Sequence, residues 1–326
     1  MRFGTRVASL ARLALAAFAV AVLPFTATAG VAAARPVAGP VHRMTPGAYE
    51  ELWVPSEMGP VKVQVQWARN GGGGAVYLLD GLRARDDRNA WSFETDAQGM
   101  FAEDNVTLVM PVGGQSSWYA DWGAAGAVGQ RSPYKWETFL TRDLPTFLAG
   151  YGVSPTANAV VGLSMSGPAA LRLAAFHRDQ FTYAASLSGP LSMNGPGMRE
   201  AIRAMMLDAG RFDCDALAAP WSPIWLRMDP IIFAPQLRGL PMFISSATGV
   251  PGAYDRPADL TGVVNTVDGA AIEALALIGT RAFQGRLTDL NIPAIYDFPS
   301  TGTHGWRYWQ DELAKARPSI LATVGS

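Results

Sequence analysis

The chain has 326 residues and a formal net charge of −1, from 26 Lys and Arg against 27 Asp and Glu, so no basic excess draws it to nucleic acid and no acidic tail marks it. Apolar residues make up 49% and charged residues 16%, which excludes intrinsic disorder and allows a large core. Cys214 is the single cysteine, which excludes an intramolecular disulfide, and no pair among His42, His177 and His304 has metal-ligand spacing, so no zinc site is expected.

At the N-terminus, Arg2, Arg6 and Arg12 lead into an apolar run over 13–25, followed by Ala27-Thr28-Ala29 and Ala32-Ala33-Ala34. That layout predicts a secretory signal peptide over 1–34, cleaved after Ala29 or Ala34, and hence an exported protein. The run falls short of the ~20 residues a bilayer-spanning helix needs. No later segment reads as a membrane span. Residues 35–326 read as a single domain, at the upper end of what one hydrophobic core supports.

Residues 35–48 read as an irregular entry rich in Pro and Gly. Val61, Val63, Val65 and Trp67 alternate with polar residues and predict a half-buried strand. The apolar runs 75–79, 105–112, 159–163 and 183–187 predict strands buried on both faces. Between them, Trp136, Phe139, Leu140, Leu144, Phe147 and Leu148 fall at helical spacing, with Pro145 as a kink, and 166–177 reads as a helix. Residues 195–240 read as an insertion of short helices and loops. A strand over 242–247, a helix over 268–285, a strand over 294–298 and a helix over 306–317 complete the chain. Alternating strands and helices predict an α/β fold: a mostly parallel sheet with helices on both faces.

The sharpest chemical signal is Gly162-Leu163-Ser164-Met165-Ser166, where a buried strand runs into a serine and a helix follows at once. This is a nucleophile elbow, with serine in place of the second glycine. A serine hydroxyl needs a base. His304, just beyond the last strand, has the position that the base takes in an α/β-hydrolase, whereas His177 lies about three turns along the helix after the elbow. By position the acid points to Asp255, after the 242–247 strand. Asp259 is a second candidate, and Glu273 in a helical run reads as a solvated carboxylate. Spacing alone does not choose among them. The oxyanion needs two backbone amides: that of Met165, directly after the nucleophile, and one from the loop after an early strand, where Leu82 follows Gly81.

Six segments carry a wider resemblance: LLDGLRARDD at 78–87, LVMPVGGQSSWYADW at 108–122, YKWETFLTRDLP at 134–145, VVGLSMS at 160–166, IEALAL at 272–277 and GTHGWRYW at 302–309. In that order the chain resembles the secreted mycolyltransferases of mycobacteria and their relatives, the antigen 85 family. The resemblance implies an α/β-hydrolase fold and a Ser–Glu–His triad at Ser164, Glu273 and His304, which prefers Glu273 over Asp255. It implies oxyanion amides at Leu82 and Met165, and trehalose contacts at Asp80, Arg83 and Trp306, although Asp80 and Arg83 are also able to pair with each other and Trp306 to pack under the last helix. No metal or organic cofactor is implied. The implied substrates are trehalose mycolates and cell-wall arabinan, the implied setting is secreted or cell-envelope, and a host matrix protein such as fibronectin is an implied partner.

Three departures stand out. No cysteine precedes YKWETF, serine replaces a family cysteine after the 242–247 strand, and GLSMSG replaces the family's alanines after the methionine. Residues 195–265 agree poorly. Two other functions share these residues: a carboxylesterase with water as acceptor, and a non-catalytic surface-binding protein, against which stand three filled triad positions.

Overall fold

The computed structural model describes residues 42–128 and 130–325, so the expected signal segment over 1–34 lies outside the described residues. Three strands come first: β1 (Tyr49–Val54), β2 (Val61–Gln66) and β3 (Ala75–Leu78). Two short helices, α1 (Trp91–Glu94) and α2 (Ala97–Phe101), precede β4 (Thr107–Pro111). Next, α3 (Trp136–Thr138) and α4 (Leu144–Ala149) are joined by a π turn over Phe139–Asp143. The centre of the chain is β5 (Asn158–Leu163), α5 (Ser166–Phe176) and β6 (Phe181–Leu187). The connection to β7 (Met242–Ser245) holds α6 (Met198–Gly210), α7 (Cys214–Leu217), α8 (Pro223–Met228) and α9 (Pro230–Phe233). The chain ends with α10 (Leu260–Asp289), β8 (Ile295–Asp297) and α11 (Trp306–Val324).

All eight strands form one sheet in the order β1-β2-β4-β3-β5-β6-β7-β8. From β4 to β8 every pairing is parallel, and β1 and β2 add an antiparallel edge. The apolar runs serve both faces of the sheet. Tyr77 and Val160 point into a cluster with Phe139, Leu144 and Leu173, while Val76, Leu78, Val161 and Leu163 point into one with Trp91, Phe101, Leu313 and Ile320. Successive side chains alternate across a strand, so a strand covered on both sides is apolar throughout. This architecture is the α/β-hydrolase fold.

Several elements differ from their expected form. The strand read as half-buried is buried on both faces: Gln64 accepts from the Asn89 amide at 2.8 Å and Gln66 donates to the Gln98 carbonyl at 3.1 Å, so its polar side chains bond inward. Pro145 stands in the first turn of α4. The preceding turn widens, with the Leu144 amide donating to the Phe139 carbonyl five residues back, and this absorbs the missing proline donor. The last helix runs through Pro318 to Val324, because Leu313, Ala316, Ile320 and Val324 bury one continuous stripe. The helix expected over 268–285 is α10, thirty residues long and, by length and a mean hydropathy of 1.3 over its most apolar 18 residues, apolar enough to cross a membrane, contrary to the sequence reading. Yet Gly269, Glu273, Ala276, Thr280, Phe283 and Leu287 form a buried stripe that seats it on the protein.

Candidate active site

The elbow joins β5 to α5. Ser164 has φ +49°, a left-handed conformation that costs a non-glycine residue roughly 1–2 kcal/mol. Tight packing holds it there. A Cβ on Gly162 would lie 2.0 Å from the Ser166 carbonyl oxygen, so only glycine fits. Ser166 is fully buried, and its Oγ accepts from the Leu163 amide at 2.8 Å and lies 2.9 Å from the Leu163 carbonyl. Serine at the second small position therefore stitches the turn together. The Ser164 amide donates to Leu187 O at 2.9 Å, tying the elbow to β6.

His304 reaches this serine from the loop after β8, with Nε2 2.8 Å from Ser164 Oγ and Nδ1 2.7 Å from Glu273 Oε2. A carboxylate at Nδ1 places the ring proton there and leaves Nε2 to accept from the serine hydroxyl. The ring sits edge-on to Trp309, with centroids 4.8 Å apart. Glu273 is fully buried in the stripe of α10. Its Oε1 accepts from Ser188 Oγ at 2.8 Å, Ser246 Oγ at 3.1 Å and the Ala247 amide at 2.7 Å, bonds without which a buried carboxylate would be costly.

The positional preference for Asp255 is overturned. Its carboxylate accepts from Thr303 Oγ1 at 2.6 Å, Tyr308 Oη at 2.5 Å and the Gly252 amide at 2.8 Å, and so braces the loop that carries His304 without bonding the ring. Burial alone would raise its pKa, but these three donors hold the carboxyl below its usual range. Asp259 caps α10, accepting from the Gly262 amide at 2.7 Å. Nor is Glu273 solvated, as its place in a helical run had suggested. The other histidines lie elsewhere: His177 bonds Glu137 at 2.9 Å, and His42 stacks on Tyr151.

The amides of Leu82 and Met165 find no acceptor among the described residues. Both residues line a narrow apolar slot of about 30 Å³ together with Ser164, His304, Trp118, Met198, Met205 and Leu275. Alongside it opens a cleft of about 820 Å³, lined by Asp80, Arg83 and Trp306 among others, that also reaches Ser164 and His304. Asp80 does not pair with Arg83. Its carboxylate accepts from the Gly81 amide at 2.7 Å and the Ala90 amide at 2.8 Å, while Arg83 pairs with Asp208 across the cleft. Burial pushes the Asp80 carboxyl up to about 6, against the pull of the two amides. Trp306 packs edge-on to Trp91 and Trp309 and still lines the cleft, so packing and cleft lining coexist.

Sequence reasoning missed Ser188. With φ +51°, it accepts from Trp309 Nε1 at 3.0 Å while donating to Glu273. Its only sequence signal is its place directly after a buried strand. Asp208, which Arg83 meets on α6, lies in the stretch of poor agreement and had no signal at all.

The chain is similar to several known proteins. A family model described as "Putative esterase" matches residues 56–320. The diacylglycerol acyltransferase/mycolyltransferase Ag85C of Mycobacterium avium is 39% identical over 316 residues, 95% of this chain and 86% of that protein. Ag85B of the same organism, a diacylglycerol acyltransferase/mycolyltransferase by name, is 41% identical over 85% of this chain and 84% of its own length. Among solved structures, Mycobacterium tuberculosis MPT51 (FbpC1) superposes with a TM-score of 0.73 at 31% identity, covering 85% of this chain and 99% of MPT51. The chain therefore belongs to the Ag85 family of diacylglycerol acyltransferase/mycolyltransferases, within the esterase-like α/β-hydrolases.

Proposed function

We propose that the protein is a serine acyltransferase that moves a mycolyl chain from trehalose monomycolate to a second sugar hydroxyl during cell-envelope construction. The observation that carries this reading is the unbroken hydrogen-bond relay Ser164–His304–Glu273 between a narrow apolar slot and a wider cleft of mixed lining. His304 Nε2 takes the Ser164 proton as Oγ attacks the ester carbonyl, and Glu273 steadies the imidazolium. The Leu82 and Met165 amides hold the oxyanion. Collapse breaks the ester bond, and the trehalose oxygen leaves with the proton from His304. The acceptor, trehalose monomycolate or cell-wall arabinan, then gives its proton to His304 and attacks the acyl-enzyme, and as the bond to Oγ breaks His304 returns that proton to Ser164. In this reading the alkyl chain lies along Met198, Met205 and Leu275, and the sugar lies against Asp80, Arg83 and Trp306. None of these steps calls on a metal or an organic cofactor.

The export layout of residues 1–34 supports a secreted or envelope-associated protein, with 35–326 as its mature domain. Contact with a matrix protein such as fibronectin is a separate surface property, read by binding of a Ser164→Ala protein. The test of function is product analysis with trehalose monomycolate. Trehalose dimycolate, or mycolyl-arabinan when arabinan is supplied, is the expected product. Free mycolic acid alone, even with excess acceptor, would make the protein a carboxylesterase.

A further inference from the structure

Between β4 and α3, three residues that are not glycine hold their backbone in the left-handed region: Ser116 at φ +56°, Trp118 at φ +53° and Tyr119 at φ +46°. A side chain disfavours that region, so the run persists only where its surroundings fix it. Arg172 fixes it from behind. This α5 residue is 1% exposed, and its Nη2 donates to the Trp118 carbonyl at 3.2 Å and the Tyr119 carbonyl at 2.7 Å. Glu137 does not depend on Arg172 for pairing, since Arg227 bonds both of its oxygens and His177 bonds one of them. The distinct contribution of Arg172 is therefore its grip on the loop.

The front of the same loop meets Leu82 and Met165. The Ser116 amide donates to the Leu82 carbonyl at 3.0 Å, and the Tyr119 hydroxyl accepts from the Asp80 amide at 2.9 Å, so the turn that presents the Leu82 amide is held on either side. The Trp118 amide lies 3.3 Å from Met165 Sδ, and the Trp118 ring lines the slot beside Ser164.

We infer that Arg172 is a positioning residue, which through the 116–119 loop sets the Leu82 and Met165 amides at the spacing an oxyanion needs. The inference rests on the acyl-transfer reading, which gives those amides the oxyanion. Donors aimed in advance at developing charge hold the transition state more strongly than the bound substrate, so a loosened loop costs rate and not binding.

The experiment compares wild type with Arg172→Met, which fills most of the same space without a donor. It reads transfer from trehalose monomycolate to trehalose, and affinity for an alkyl trifluoromethyl ketone. Ser164 Oγ adds to the ketone carbon, its proton passes to His304 and the carbonyl oxygen becomes an oxyanion, so the hemiketal copies the tetrahedral intermediate. In the variant, kcat and ketone affinity should each fall about tenfold or more, while KM for trehalose monomycolate and calorimetric trehalose affinity keep their wild-type values. A smaller number of folded molecules lowers kcat but not an affinity, so the ketone separates positioning from lost protein. Arg172→Lys keeps a charge beside Glu137 on a shorter stem, and should show a smaller loss of the same kind. Tyr119→Phe cuts the loop's bond to the Asp80 amide. Joined to Arg172→Met, it should weaken ketone binding by less than the product of the two single effects. Wild-type ketone affinity in a folded Arg172 variant, or single effects that simply multiply, would overturn the role. Failure of the acyl-transfer reading shows in the wild type, which then forms no diester, while the ratio of ketone affinities between variant and wild type still reads the loop.

Discussion

At the scale of single residues, the reacting groups differ in how visible they are in the sequence. Ser164 is announced by its neighbours, because an elbow demands a small residue at 162 and another at 166, and both demands are local. His304 follows from its place after the last strand. Glu273 has no local signature: it lies mid-helix like any solvated acid and becomes special only when α10 carries it under Ser188, Ser246 and Ala247. Asp255 misled by standing where an acid commonly stands, although its bonds go to the loop rather than the imidazole. Asp80 offers a direct pH test. Its folded pKa of about 6 exceeds the usual 3.8, so its contribution favours the folded state fully below about 3.8 and is lost as pH rises through about 6. The ionised carboxylate is the form that accepts sugar hydroxyls. The KM for trehalose is therefore expected to fall as pH rises from about 5 to 7, and Asp80→Asn to abolish that dependence. A pH-independent wild-type KM would remove Asp80 from sugar binding.

At the scale of elements, buried strands were legible because two covered faces force an unbroken apolar run. The edge strand β1 was not, since Tyr49-Glu50-Glu51-Leu52 mixes charge with apolar residues and one side of an edge is solvated. Helices α1 and α2 are four and five residues long, too short to show a period. The full length of α10 was also hidden, because its apolar outer face blurs the helical stripe that periodicity needs. The loop carrying His304 owes its shape to a clamp between elements, in which Asp255 gathers Thr303, Tyr308 of α11 and the Gly252 amide. Asp255→Asn replaces an acceptor with a donor facing these donors and frees the residue adjacent to His304. The expected outcome is a fall in kcat of about tenfold or more at nearly unchanged KM for trehalose monomycolate, since the imidazole loses its aim while the cleft keeps its lining. Unchanged kcat would show that the loop holds its shape without the clamp.

At the scale of the whole molecule, a buried charge cluster braces the face of the sheet opposite α11. Arg172 is 1% exposed, donates to the Tyr119 carbonyl at 2.7 Å, and lies 3.4 Å from Glu137, which also meets His177 at 2.9 Å and Arg227 at 2.7 Å. Burial alone would raise the Glu137 pKa, but the cations around it hold the carboxyl far below its usual 4.5. A depressed carboxyl contributes stability that is present above its unfolded pKa and lost as pH falls towards the folded value. Glu137→Gln strands Arg172 in the interior, at an expected cost of about 3–5 kcal/mol at pH 7 by urea unfolding. The same variant should lose less stability than wild type between pH 5 and pH 3. Parallel acid limbs for the two proteins would mean that other carboxylates control acid unfolding.

The proposed function turns on one covalent event at Ser164, in the elbow between the slot and the cleft. Intact-protein mass after mixing the mature protein with trehalose monomycolate reads that event directly. The account predicts a mass increase of one mycolyl group that is absent in Ser164→Ala and discharges when trehalose is added. An unmodified mass in wild type alongside turnover, or an adduct that survives Ser164→Ala, would contradict it.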